Sequence, residues 1–176
     1  MGSIDSPETL TWASQLYSAL RVAEITIFCY VPDAGHSILI DKSIEDDGVT
    51  SIPLTTEEEG VALVAGAHLG GKRAVLLMQS SGVGNCINML SLIEAGRFPF
   101  LTVVSMRGHF GEQNPWQFPM GQAVEPCLTA IGTQCLKVDN RTDIEPTTTA
   151  AMQMAYKSDR SVAILLSQKL IGAKPF

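Results

Sequence analysis

The stretch "TTEEEGVALVAGAHLGGKRAVLLMQSSGVGN", Thr55–Asn85, decides the fold. Thr56 followed by Glu59 has the form of a capping box, which satisfies two free N–H groups at a helix start. An apolar helix pattern then runs over Glu57–Gly70. Glycines close it, with Lys72 and Arg73 beside its negative end. "AVLLMQ", Ala74–Gln79, is a continuous apolar run of strand length, the signature of a strand buried on both faces. A glycine-rich turn, Gln79–Asn85, leads into a second helix pattern over Val83–Ala95. Helix, buried strand and helix in succession are the unit of a parallel α/β sheet.

The same alternation extends in both directions. Strands are expected at Ile25–Val31, Val49–Leu54, Phe100–Ser105, Thr133–Val138 and Ser161–Ser167. Helices are expected at Ser37–Asp46, Gln122–Ile131 and Ile144–Lys157. A first helix opens on Ser6 as N-cap, Pro7 at the first helical position and Glu8 in the first turn. The expected fold class is α/β: a single doubly wound domain over residues 1–176, with a mostly parallel six-stranded sheet and helices on both faces. One segment breaks the rhythm. Met106–Pro126 reads as a long connection rich in Gly and Pro, and its Trp116, Phe110 and Phe118 argue for an ordered, functional loop.

Composition narrows the function. A net charge of −6 with no basic stripe makes nucleic acid an unlikely partner, since phosphate neutralisation needs clustered Lys and Arg. The apolar share of 45% against 17% charged residues suits a buried sheet and a face covered by another subunit. No apolar run is long enough to cross a bilayer. The opening "MGSIDS" fits a myristoylation pattern, but no basic cluster follows it and one acyl chain anchors poorly, so no membrane attachment is expected. Cys29, Cys86, Cys127 and Cys135 form no C-x-x-C pair and read as reduced thiols of a cytoplasmic protein.

Two motifs match in letters and fail in context. "GAHLGGK", Gly66–Lys72, has the spacing of a phosphate loop, yet it ends a helix and enters a strand, the reverse of what that loop requires. "SGVGNCI", Ser81–Ile87, lacks the third glycine of a dinucleotide fingerprint. His36, His68 and His109 have no ligand spacing, so no metal held by this chain is expected.

The carboxyl edge of the sheet gathers the unusual loops. Glu57 follows a strand there, as do "PDAGHS" (Pro32–Ser37), "SSGVGN" (Ser80–Asn85) and the Met106–Pro126 segment. Ligands of open parallel sheets bind at this edge. Capping alone accounts for the three acids Glu57, Glu58 and Glu59; the convergence of loops points to a site as well.

On these residues the chain resembles the pyrimidine-binding domain of thiamine diphosphate-dependent 2-oxo acid decarboxylases. The likeness is nearest to the sulfopyruvate decarboxylase α subunit and phosphonopyruvate decarboxylase. "EEEGVALVAGAHLGGKRAVLLMQSSGVGN" and "SMRGHFGEQNPWQFPMGQAVEP" carry it, and it covers nearly the whole chain. The resemblance implies a glutamate that hydrogen-bonds the aminopyrimidine ring and favours its imino tautomer. Counting back nine residues from Gly66 puts that role on Glu57. It implies cofactor contacts near Gln79, Ser80, Ser81, Gly82 and Asn85. Arg107 becomes a candidate for an anionic substrate group, with an ordinary loop ion pair as the alternative. His36 and His109 are candidate proton carriers, and His36 also a candidate substrate contact.

The family's diphosphate half is marked by G-D-G followed by Asn-Asn. This sequence has only "EDDG", Glu45–Gly48, with no Asn-Asn after it. The resemblance therefore implies a partner β subunit that holds the diphosphate through Mg²⁺, in a hetero-oligomer. The substrate class would be a small anionic 2-oxo acid such as sulfopyruvate or phosphonopyruvate. A carboligase or lyase subunit acting on another 2-oxo acid or 2-hydroxyketone, and a non-catalytic α/β binding subunit, stand as alternatives.

Overall fold

The computed structural model describes residues 11–173. Six strands form one sheet in which every pairing is parallel: β1 (Ile25–Tyr30), β2 (Thr50–Pro53), β3 (Arg73–Gln79), β4 (Phe100–Ser105), β5 (Gln134–Val138) and β6 (Ser161–Leu166). Their order is β2-β1-β3-β4-β6-β5. The apolar runs seen in the sequence are these strands. β4 and β6 are buried at every position and β3 from Ala74 to Met78, so no alternation survives in them. Edge strand β2 is exposed or half-buried throughout, which is why its sequence is less apolar.

The helices divide between the two faces. One face packs α1 (Trp12–Val22), α2 (Ser37–Glu45) and α6 (Ile144–Ser158) through Leu16, Leu20, Leu39, Ile144 and Ala151 onto Phe28, Val75, Leu101 and Ile164. The other packs α3 (Glu57–Leu69), α4 (Ser80–Gly96) and α5 (Phe118–Ala130) through Val61, Val64, Cys86, Leu90 and Leu128 onto Leu76, Met78, Val104 and Leu165. Burying a large apolar side chain contributes about 1.5–3 kcal/mol. The two layers therefore hold the sheet by its side chains on both sides.

This arrangement makes two crevices at the carboxyl edge. Neighbours β1 and β3 send their following helices, α2 and α4, to opposite faces. Likewise α5 leaves β4 on one face while α6 leaves β5 on the other, with β6 between the two strands. Such reversals are where doubly wound sheets bind ligands.

Several boundaries differ from the sequence expectation. The start of the first helix at Ser6, Pro7 and Glu8 lies outside the described residues; α1 is capped by Thr11, whose Oγ1 accepts the Ser14 N–H at 3.2 Å. Thr56 makes no side-chain cap bond, and Glu59 Oε2 instead accepts the Thr55 N–H at 2.8 Å. Helix α4 begins at Ser80, not Val83, so the "turn" glycines Gly82 and Gly84 are helical. The Met106–Pro126 connection is shorter than expected because α5 starts at Phe118, with Pro119 in its first turn where a missing N–H costs nothing. A short helix, α7 (Gln168–Ile171), was not anticipated. Where the sequence spells "GAHLGGK", α3 ends at Leu69 and β3 begins at Arg73, with Gly71 at φ +72°.

Candidate active site

Glu57 is the first residue of α3 and is only 9% exposed. It lies against the first two turns of α4, where Asn85 Nδ2 donates to its Oε2 at 2.8 Å. A Cβ at position 82 would overlap the Glu57 carboxyl group, so glycine is what lets the acid lie along α4. Glu57 Oε1 makes no hydrogen bond to any described residue. One oxygen of a nearly buried carboxyl group is thus fixed by Asn85, and the other is unengaged among the described residues.

Beside it, across the first crevice, sits a polar chain that ties four elements together. Asp33 follows β1, and its Oδ1 accepts Gln79 Nε2 at 2.8 Å. Its Oδ2 accepts the Ser105 hydroxyl at 2.6 Å and the Gly35 N–H at 3.1 Å. Burial pushes the Asp33 carboxyl up, but these hydrogen bonds and the nearby His36 together hold it below the ordinary value. Gln79 Oε1 in turn accepts the Ser81 hydroxyl at 3.0 Å and Gln117 Nε2 at 3.0 Å. Gln79 and Ser81 therefore spend polar groups on each other, while Ser80 is fully buried with its Oγ accepting the Arg107 N–H at 3.2 Å.

Arg107 lies at the end of β4 and is 8% exposed. Its Nε and Nη2 form a forked pair with Glu112 at 2.7 and 2.8 Å. The same carboxylate accepts the N–H groups of Gly108, Gln113 and Asn114 and the side-chain amide of Gln168. Hydrogen bonding from Arg107 pulls the Glu112 carboxyl down to about 2. The loop ion pair weighed for Arg107 is thus present; its Nη1 carries no hydrogen bond to a described residue, and Arg107 lines a small hollow of about 80 Å³ with Asp33, Gly35 and Ser105.

The two candidate histidines lie apart from Glu57's carboxylate contacts. His36 is fully buried beneath the crevice, and its Nε2 donates to the Met78 carbonyl at 3.1 Å, leaving Nδ1 without a partner. Burial pushes its pKa down, so the ring is neutral near pH 7. His109 points into the second crevice with Lys137, Asp139 and Lys169. The sequence reading missed Asp33, Ser105, Gln117, Glu112 and Gln168. Only Asp33 had a signal, an acid at the end of a strand in the "PDAGHS" loop.

No family model matches the chain. Curated relatives do. The chain is 36% identical over 151 residues to the sulfopyruvate decarboxylase subunit alpha of Methanocaldococcus jannaschii, covering 85% of this chain and 89% of that one.

The chain belongs to the sulfopyruvate decarboxylase α-subunit family.

The Methanothermobacter thermautotrophicus member of that family is 31% identical, over 93% of this chain and 96% of its own. Phosphonopyruvate decarboxylase of Streptomyces viridochromogenes is 29% identical over 93% of this chain but 42% of the longer relative. As a member of the sulfopyruvate decarboxylase α-subunit family, the protein is the alpha subunit of a 2-oxo acid decarboxylase, and an alpha subunit has a partner subunit. Among solved structures, a 2-oxoglutarate:ferredoxin oxidoreductase from Magnetococcus marinus superposes with a TM-score of 0.75. It covers 92% of this chain and 29% of that one at 17% identity, a likeness of fold. No helix among the described residues is long and apolar enough to cross a membrane.

Proposed function

We propose that this chain supplies the pyrimidine-binding half of a thiamine diphosphate site. In this reading a partner β subunit carrying the G-D-G…N-N motif holds the diphosphate through Mg²⁺. The assembled enzyme decarboxylates a 2-oxo acid with an anionic tail, sulfopyruvate first and phosphonopyruvate second.

One observation carries the proposal: a nearly buried carboxylate at the sheet's carboxyl edge, pinned by Asn85 through Oε2, seated over Gly82, with Oε1 unengaged. The residues present fit a flat heteroaromatic ring. Gly82 lets the Glu57 carboxyl group lie along α4, and the exposed Gly84 leaves a part of the α4 surface without a side chain, where a Cβ would meet only Met120, at 3.5 Å.

When bound, thiamine diphosphate supplies the nucleophilic carbon and takes up the electron pair left as CO₂ departs. What this chain contributes is proton handling and position. Glu57 Oε1 would hold or release a proton toward a ring nitrogen of the bound group, while Asn85 holds the other oxygen so that the carboxyl plane cannot rotate away. Gln79, locked by Asp33, Ser81 and Gln117, fixes the floor of the crevice rather than donating freely. Ser80 ties the Arg107 backbone to the start of α4.

Arg107 Nη1 is the proposed contact for the anionic tail. Glu112 and Asp33 already compensate its charge, so complete neutralisation of a sulfonate calls for further cations from the partner subunit. His36, buried and neutral, supports the β3 end from beneath and makes no direct contact with substrate.

Glu57→Gln tests the proposal. The glutamine side chain can still accept from Asn85, so folding and assembly persist, while turnover of sulfopyruvate falls by about 10²–10⁴-fold, the usual worth of a positioned acid–base group. Assembled variant enzyme that releases CO₂ from sulfopyruvate at the wild-type rate would reject this role for Glu57.

A further inference from the structure

The second crevice has the features of a binding site that the proposed chemistry does not use. It is a hollow of about 380 Å³, the size of small-molecule pockets, above the carboxyl ends of β4, β6 and β5. Several polar groups on its wall carry no hydrogen bond or ion pair to the described residues. The Ser167 hydroxyl is 93% buried with its residue yet makes no hydrogen bond. A buried hydroxyl left unpaired costs about 1–3 kcal/mol, so a partner for it is expected. Lys169 Nζ lies 5.6 Å from the Phe110 ring centroid and has no carboxylate of the described residues within ion-pair distance. The Asp139 carboxylate and the His109 ring likewise make no hydrogen bond to a described residue. Lys137 does not join them, because Glu125 Oε2 holds its ammonium at 2.6 Å.

The unpaired charges balance: one ammonium, Lys169, and one carboxylate, Asp139. Burial pushes the His109 pKa down, so the imidazole adds no charge at neutral pH and offers one donor and one acceptor. A simple anion would meet Asp139, and a simple cation would meet Lys169. A ligand with both signs satisfies each group. We propose that this hollow binds a small zwitterion of the α-amino-acid type, its acidic group on Lys169 and the Ser167 hydroxyl and its ammonium on Asp139. Met106, Phe110 and Leu165 form the apolar part of the wall, room for a short side chain.

The site is joined to the first crevice by one loop. Gln168, next to both Ser167 and Lys169, accepts the N–H groups of His109 and Phe110 and donates to Glu112, which grips Arg107. An occupant on Lys169 thus bears on the residue that anchors the Arg107 loop. Binding itself does not depend on the decarboxylase reading.

The test is an isotope-labelled NMR titration of the full chain with L-alanine and L-aspartate, with acetate and methylammonium as single-charge controls. The expected result is saturable shifts at the Ser167, Lys169 and Asp139 amides with the amino acids, at least tenfold weaker with either control. Lys169→Met and Asp139→Asn, both exposed substitutions, should each weaken amino-acid binding by about tenfold, the scale of one charge-assisted hydrogen bond. Absence of saturable shifts, acetate binding as tightly as alanine, or affinity unchanged in both variants would each overturn the proposal.

Discussion

Replacing Gly82 with alanine separates stability from activity. Built on the observed backbone, the new Cβ stands 2.6 Å from Glu57 Cγ and overlaps the carboxyl group. Ordinary carbon contacts need about 3.5 Å, so the Glu57 side chain must withdraw by about 1 Å. It can do so cheaply, since the obstructing atoms belong to a flexible side chain. The helix gains about 1 kcal/mol from alanine over glycine. Against that stands the Asn85–Glu57 hydrogen bond, a loss of about 1–2 kcal/mol if the carboxylate swings clear. The two nearly cancel. For a chain of this size the Tm should stay within about 4 °C of wild type. A catalytic group displaced by 1 Å, in contrast, costs about 100-fold in rate. The assays are thermal unfolding of the full chain and steady-state decarboxylation by the enzyme assembled with its partner. Wild-type turnover at an unchanged Tm would refute the reasoning, because Glu57 would then have no required position. A Tm loss of about 10 °C or more would refute it in the other direction, by showing that the clash is relieved through the backbone.

Two further outcomes follow from buried groups. Glu112→Gln removes the anion that Arg107, three backbone N–H groups and Gln168 share; breaking a buried pair costs about 3 kcal/mol or more, measured by urea unfolding. The Glu112 carboxyl is held at about 2 against 4.5 in the ordinary state, so its contribution is complete above 4.5 and is lost as pH falls toward 2. Wild-type chain should therefore lose its advantage over Glu112→Gln across that window in acid unfolding, and an advantage independent of pH would contradict the assignment. His36, whose pKa burial lowers from 6.5, should take up its proton below that pH in NMR titrations. The unfolded chain takes up the proton first, so the stability tied to His36 is full above 6.5 and falls as pH drops below it. A His36 ring that titrates at 6.5 would show that it is not buried in solution.

Much of this architecture was legible because the physics behind it is local. β3, β4 and β6 read as unbroken apolar runs because helices cover both faces, and element order already rules out a phosphate loop at Gly66–Lys72. Other features were hidden by residues serving two ends. Gly82 and Gly84 look like a turn in sequence. In the structure they are helical, and position 82 is glycine because Glu57, distant in the chain, lies against it. Pro119 and Pro126 obscured the start and course of α5, although a proline in the first turn is compatible with a helix. The polar scaffold was beyond reach. Asp33 meets Gln79 and Ser105 across 46 and 72 positions, and Glu112 meets Gln168 across 56. No local pattern encodes such pairs, which arise only when the strand order brings the carboxyl ends together. The same holds for the histidines: the sequence offered both as proton carriers, and only topology could place one beneath the first crevice and the other in the second.

The most direct measurement is a crystal structure of this chain assembled with its partner subunit and thiamine diphosphate. The account predicts a Glu57 carboxyl oxygen about 2.6–3.2 Å from a nitrogen of the aminopyrimidine ring, with Asn85 still on the other oxygen. A ring seated elsewhere, with that carboxylate turned to water, would contradict it.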